Sequence, residues 1–256
     1  MKSTISKAVC AALFLLPTIA SAAEVQGGKK QTLIDVYKEG GWVMHLLLAC
    51  SIAMVWLIID ISLRTTRKRM TPPSDVASAR QAFLAGDYVG AYQAMKAGTS
   101  PFCEVVRGAL GSVGHGKDAT EEAIYVTVEK INSTLQTRIN YLSVIGVCAP
   151  MIGLLGTVGG MKGAFGALGT TGADVGGLAA HIGEVLVATA TGLLVAIPAI
   201  GAFYFLRNKL QGAVHNLQDE TERLFRNAPY EYLQNADVGQ EETFAALPNW
   251  IESPEG

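Results

Sequence analysis

Residues 149–165 read APMIGLLGTVGGMKGAF, and residues 183–199 read GEVLVATATGLLVAIPA. Both stretches are apolar and rich in small residues, which let helix backbones approach closely in lipid, where packing drives association. They predict two transmembrane helices, the first able to approach a neighbouring helix closely and the second bent where its proline removes a backbone donor. We assign helix packing to five residues of the two stretches: Gly153, Gly156, Gly160, Gly163 and Pro198.

Polar side chains within these stretches are the candidate functional residues. Thr157 follows Gly153 by one helical turn, and its hydroxyl either bonds to its own helix or lines a polar path between copies of the helix. Glu184 and Thr191 are two turns apart and share one side, whereas Thr189 lies about 140° away from Glu184. A carboxylate within lipid marks a functional site. The alternative is that Glu184, which is near the start of its span, lies at the level of the lipid headgroups and is solvated.

Residues 1–22 have the pattern of a cleavable secretory signal. Lys2 and Lys7 precede the apolar run AVCAALFLLPTIA, which is shorter than a spanning helix and ends at the small residues ASA. An uncleaved signal anchor is the alternative. Either one places residues 23–40 outside the cytoplasm.

Three further apolar runs are long enough to span a bilayer. Basic residues from Arg64 onward follow the first, and the loop between the other two holds no Lys or Arg at 166–180. The positive-inside tendency therefore puts the N-terminus outside and the C-terminus in the cytoplasm. The fold class is all-α, with three transmembrane helices in the mature chain. The spans are predicted at 41–63, 139–161 and 182–206, with a periplasmic loop at 162–181 and cytoplasmic segments at 64–138 and 207–256.

The predicted cytoplasmic segments have helical patterns. Residues 74–115 read as short helices broken at Gly86-Asp87 and between Gly98 and Pro101. From Asp118, apolar residues recur by threes and fours into the second span, which predicts one helix running from the cytoplasm into the membrane.

The same apolar spacing extends the last span from Leu206 to Leu224. The end of the chain, 237–256, is acidic and lacks a period, which is typical of a mobile tail. Asp60, near the end of the first span, is interpreted as an interfacial residue.

The composition excludes several classes of protein. The chain is 50% apolar with 28 glycines in 256 residues and a mean hydropathy of +0.30, too apolar for an ordinary soluble domain. A net charge of -2 leaves no broad basic field for nucleic acid. The four cysteines form neither a disulfide framework nor a zinc motif, and no P-loop, G-x-S-x-G or H-E-x-x-H occurs. We expect no enzyme activity, cofactor or metal.

The two quoted stretches resemble the MotA/TolQ/ExbB proton-channel family, most closely its ExbB-like branch. Three spans with a large cytoplasmic portion between the first two match that branch better than the four-span MotA type. The resemblance covers roughly residues 40–235. It implies a pentameric ring whose last two spans line a pore, around the helices of an ExbD-like partner dimer. Protons moving down their gradient then drive work by a TonB-like protein.

Three residues correspond to the family's motif positions. Thr157 is the motif threonine of the second span, Thr189 follows EVLVA in the third, and Glu184 is the acidic residue of that span. The resemblance places Thr157, Glu184, Thr189 and Thr191 along the proton pathway. The proton-carrying aspartate of the family belongs to the partner, so this chain alone is not expected to conduct. Lys162 at the outer end of the second span departs from the pattern.

Other functions remain open at this level. A TolQ-like subunit for outer-membrane maintenance shares the motifs. A non-conducting membrane scaffold would use the polar groups for packing only, and an independent channel would pass ions without a partner.

Overall fold

A computed structural model describes residues 41–171, 175–234, 236, 238 and 239. Within that range, the side chains of residues 167–181 and of Glu184 are not described. The predicted signal at 1–22, the external segment at 23–40 and nearly all of the predicted tail at 237–256 lie outside the described residues.

The described chain is helical, as predicted, and its elements follow the sequence signals closely. The helices are α1 Val43–Arg64, α2 Arg67–Met70, α3 Pro73–Ala85, α4 Tyr88–Ala97, α5 Pro101–Ser112, α6 Lys117–Thr171 and α7 Val175–Phe225, with a 3-10 turn at Val113–His115 between α5 and α6. By length and composition, α1, α6 and α7 are able to cross a membrane. Helices α6 and α7 each contain one predicted span, and α1 begins two residues after the start of the span predicted at 41–63.

The chain forms two compact units. The span unit consists of the described residues of 1–66 and 132–212, and the helical unit consists of the described residues of 67–131 and 213–239. Because α6 has 55 residues and α7 has 51, each contributes to both units. The helix that was predicted to start at Asp118 begins one residue earlier, at Lys117.

Helix α6 continues ten residues past the predicted span end, to Thr171, and α7 begins at Val175. Most of the segment that was predicted as a loop, 162–181, is therefore helical in the described chain. Hydropathy marks where a lipid-compatible stretch ends, whereas a helix ends where its backbone hydrogen bonds stop. No proline interrupts that segment.

Local capping explains the short helices of the helical unit. Gly86 ends α3 with a φ of 70°, a left-handed conformation that favours glycine. Asp87 then caps α4 by accepting a 2.8 Å bond from the Gly90 N–H. Ser100 caps α5 by accepting from the Cys103 N–H. Both predicted breaks therefore lie where the chain turns.

The core of the helical unit surrounds α5, whose buried residues are Phe102, Cys103, Val105, Val106, Ala109 and Leu110. Phe83 makes edge-on contacts with Tyr88 and with Phe225 at the end of α7. After α7, the chain packs back on the same unit. The Tyr230 hydroxyl donates to the Phe225 carbonyl at 3.0 Å, and Val238 is buried. These contacts bury apolar surface that the short helices do not cover alone.

Candidate functional site

Helices α6 and α7 cross with their backbones almost in contact. A Cβ placed on Gly153 would lie 2.9 Å from the Ala188 carbonyl oxygen and 3.2 Å from the Cα of Thr189. A Cβ placed on Gly192 would lie 2.7 Å from the Ala149 carbonyl oxygen. Only residues without side-chain bulk fit at such a crossing.

The crossing continues along α6 toward α1. A Cβ on Gly156 would lie 2.9 Å from the Cβ of Ala188 and 3.5 Å from the methyl groups of Val43. Gly159, by contrast, has open space on its Cβ side. Two of the five residues assigned to packing, Gly153 and Gly156, therefore contact α7 directly. Gly160 and Gly163 lie further along α6.

Small residues of α7 complete this surface. Ala188, Ala196 and Ala199 are buried, and with Gly192 they follow a helical stripe. This stripe was not predicted, although its spacing of fours and threes can be read from the sequence. Pro198 lies inside α7, which remains helical on both sides of it.

The candidate pore threonines all donate to their own helices. Thr157 Oγ1 donates to the Leu154 carbonyl at 2.6 Å, and Thr191 Oγ1 donates to the Val187 carbonyl at 2.8 Å. Thr189 Oγ1 is 3.3 Å from the Val185 carbonyl. A hydroxyl that donates in this way keeps its lone pairs as acceptors. Each threonine therefore still offers an oxygen acceptor to a neighbouring donor.

Two of the candidate residues lie at or near the α6–α7 crossing. Thr189 lies at the crossing, beside Gly153, and Thr157 is one turn further along α6. Glu184 belongs to α7, but its side chain is outside the described part of the structure. Among the described residues, no group of three or more His, Cys, Asp or Glu side chains is arranged to hold a metal ion.

A second polar group lies at the end of the spans that carries Asp60, Arg64, Arg138 and Lys209, here called the basic end. Asp60 accepts from Arg64 at 2.7 Å and from Arg138 at 3.4 Å. Lys209 Nζ donates to the Ser62 carbonyl at 3.0 Å and is 3.2 Å from its hydroxyl. Burial lowers the pKa of Lys209 below its ordinary value. Asp60 was predicted to be an interfacial residue, and its contact with Arg138 and that of Ser62 with Lys209 were not predicted, because pairing between distant helices has no local signal.

Comparison with known proteins agrees with this arrangement. A profile of the MotA/TolQ/ExbB proton channel family matches residues 93–219, which include the α6–α7 crossing. Biopolymer transport protein ExbB from each of two strains of Xanthomonas campestris pv. campestris is 30% identical over 230 residues. The match covers 78% of this chain and 90% of the relative. The resemblance predicted from the two quoted stretches is confirmed, and the chain belongs to the MotA/TolQ/ExbB proton channel family.

Proposed function

We propose that this chain is the ring-forming subunit of an inner-membrane, proton-driven energy transducer of the ExbB type. The observation that carries the proposal is the α6–α7 crossing, which places Thr189 beside Gly153 in the part of the chain that matches the family. A pore lined by these two helices needs polar oxygens on an otherwise apolar wall. Thr157, Thr189 and Thr191 supply such oxygens.

The proton carrier in this proposal comes from a partner. The predicted spans 139–161 and 182–206 contain a single acidic residue, Glu184, and no aspartate. An ExbD-like membrane protein provides the aspartate, and a dimer of that partner occupies the centre of a pentameric ring. Threonine oxygens and Glu184 then offer hydrogen-bond acceptors along the route that the proton takes. The partner's movement delivers work to a TonB-like protein and supports transport across the outer membrane.

The proposed topology follows the charge distribution. After cleavage of residues 1–22, the N-terminal segment lies in the periplasm and the three spans cross the lipid bilayer. The basic end of the spans and the helical unit then lie in the cytoplasm, as the positive-inside tendency requires.

The stoichiometry of the complex tests this proposal. The chain is expressed with and without an ExbD-like partner and purified in detergent. The mass of each complex is then measured by native mass spectrometry. We expect five copies of this chain with two partner chains. A monomer or dimer that fails to retain the partner contradicts the proposal and favours a membrane scaffold.

A transport assay tests the energetic part separately. Liposomes that carry the complex should take up protons when a gradient is imposed, and liposomes that carry this chain alone should not. Proton flux through the chain alone would favour an independent channel. If the chain is a TolQ-like subunit, both results stay the same, and cells that lack the chain lose outer-membrane integrity.

A further inference from the structure

The basic end of α1 is built around one fully buried apolar residue. Ile61 is completely buried and continues the buried positions Val43, Leu47 and Met54 along one face of α1. Asp60 and Ser62 flank it in the sequence. At about 100° per residue, the two flanking side chains leave the helix on opposite sides of Ile61. The apolar face of α1 therefore has one polar group on each border.

Each polar group contacts a different helix. Asp60 accepts from Arg138 on α6, 78 residues away, and Ser62 accepts from Lys209 on α7, 147 residues away. Ile139 and Leu210, the residues that follow those two cations, are fully buried. At the other end of α1, Val43 lies beside Gly156 of α6. Helix α1 thus contacts α6 near both of its ends and α7 at the basic end, where it receives one cation from each helix.

These contacts are far from the glycine crossing. Arg138 precedes Gly153 by 15 residues and Lys209 follows Gly192 by 17, so about 23 to 25 Å of helix separates the crossing from the basic end. The glycines fix how closely α6 and α7 approach at the crossing. They do not fix the distance between the same helices at the basic end.

The chemistry of the contacts suits a fixed spacer. Lys209 is half-buried and donates to two uncharged oxygens, and in the described part of the chain no carboxylate lies within salt-bridge distance of it. Asp60 joins two guanidinium groups, one from its own helix and one from α6. The side chains of Asp60 and Arg138 are 20% and 41% exposed, so water screens their ion pair in part, and charge-assisted hydrogen bonds of this kind are directional.

We propose that α1 is a clamp that sets the separation of α6 and α7 at the basic end, with Asp60, Ser62, Arg138 and Lys209 as its positioning residues. These four residues are not part of the proposed proton pathway. They hold the two pore helices at the spacing that the partner helices require. The role in transport rests on the function proposed above, whereas the clamp geometry does not.

The first experiment compares Lys209→Met with Arg207→Met. Methionine keeps an unbranched side chain of similar length but removes the charge and the donors. Arg207 is exposed on the same helix two residues away, and its replacement is the matched control. We expect Lys209→Met to assemble with the partner but to lose at least about tenfold in proton-driven transport, because misplaced helices slow the transfer, while Arg207→Met and Lys209→Arg stay within about twofold of the parent.

A distance measurement separates positioning from a general loss of structure. Spin labels are attached to Ser133→Cys on α6 and Gly212→Cys on α7, in a background whose native cysteines are alanine, with one labelled copy per ring. Ser133 is exposed and Gly212 has open space around its Cβ, so both positions accept a label. We expect Lys209→Met to lengthen or broaden the distance distribution, and Arg207→Met to leave it unchanged. An unchanged distribution in Lys209→Met overturns the clamp, whether or not transport falls.

A charge exchange keeps the test decisive if Lys209→Met does not assemble. In an Arg64→Met background, which removes the second cation beside Asp60, Asp60→Lys and Arg138→Glu each place like charges together, whereas the double variant restores an opposite pair. We expect each single variant to shift the label distance and the double variant to recover most of the parent value. Failure of the double variant to recover, with assembly intact, would also reject the clamp. If neither the parent nor any variant shows proton-driven transport, the proposed function is rejected. The distances between the spin labels still test the clamp in that case.

Discussion

Gly153 of α6 and Gly192 of α7 face each other across the helix crossing: a Cβ on either residue would lie within 3.5 Å of the other's Cα. The same Cβ atoms would lie 2.9 Å and 2.7 Å from carbonyl oxygens of the opposite helix. Backbone atoms have no rotamer with which to avoid such a contact. The crossing therefore has no room for a methyl group unless the two helices move apart.

Substitution of Gly153 by alanine should destabilise the assembled protein. Forcing an added carbon into a packed contact costs about 1 to 3 kcal/mol, and we expect a lower melting temperature of the detergent-purified complex. Gly159→Ala is the control, because Gly159 has no heavy atom within 4 Å of its Cβ position. Alanine is the better helix former, so this variant should be as stable as the parent. Equal melting temperatures for Gly153→Ala and the parent would show that the helices separate freely.

Replacement of both Thr157 and Thr189 by valine should abolish coupled transport and leave assembly intact. Valine keeps the shape of threonine, and the lost hydroxyl bonds go only to carbonyls of the same helix. Transport in liposomes and the mass of the complex are measured together. Thr137→Val is the control, because its hydroxyl makes the same kind of bond, to Ser133, outside the predicted span. Normal transport in the double variant would remove the threonines from the proton pathway.

Loss of the Ser100 cap should loosen the helical unit. The Ser100 hydroxyl accepts from the Cys103 N–H at 3.3 Å and donates to Asp75 at 2.7 Å, so it joins the start of α5 to α3. We expect Ser100→Ala to lower the free energy of unfolding by about 1 to 2 kcal/mol. Ser112→Ala, at the other end of α5, removes only a 3.4 Å bond to Gly108 and serves as the control. Denaturant unfolding of the complex measures both, and equal losses would contradict a capping role.

Asp75 should give part of this stability a pH dependence. Burial raises the pKa of its carboxyl, but hydrogen bonds from Ser100, Cys103 and Ser74 outweigh burial and hold the pKa below the ordinary 3.8. The carboxylate therefore stabilises the fold at pH values above 3.8, and this stabilisation is lost as the pH falls through the lowered pKa. We expect Asp75→Asn to be less stable than the parent at neutral pH, with the difference vanishing in acid. A difference that persists below the lowered pKa would assign the effect to shape instead of charge.

Features of the fold that depend on neighbouring residues could be predicted from the sequence. The α1 helix, predicted at 41–63, extends over Val43–Arg64, and the turn at Gly86 was readable from its glycine followed by aspartate. The family motifs led to Thr157 and Thr189. The end of α6 at Thr171 was missed, since nothing in a sequence rich in glycine and alanine distinguishes a loop from a continued helix.

Contacts between distant helices were not predictable from spacing. Small residues indicated that α6 packs closely against a neighbour, but not that Gly153 meets Gly192. The pairing of Asp60 with Arg138 depends on which face of α1 turns toward α6. The rotation of α1 about its axis is set by the burial of Ile61. That burial depends on the packing of all three helices together.

Because the chain is synthesised from its N-terminus, the clamp contacts can form only in a fixed order. Asp60 and Ser62 leave the ribosome 78 residues before Arg138 and 147 residues before Lys209, respectively. At about 5 to 20 residues per second, Arg138 follows Asp60 by roughly 4 to 16 seconds and Lys209 follows Ser62 by roughly 7 to 29 seconds. Until Arg138 is made, Arg64 of the same helix is the ion-pair partner of the Asp60 carboxylate. A nascent chain truncated before residue 138 lacks the α6 partner of this carboxylate, whereas a chain truncated between residues 138 and 209 lacks only the α7 contact to Ser62.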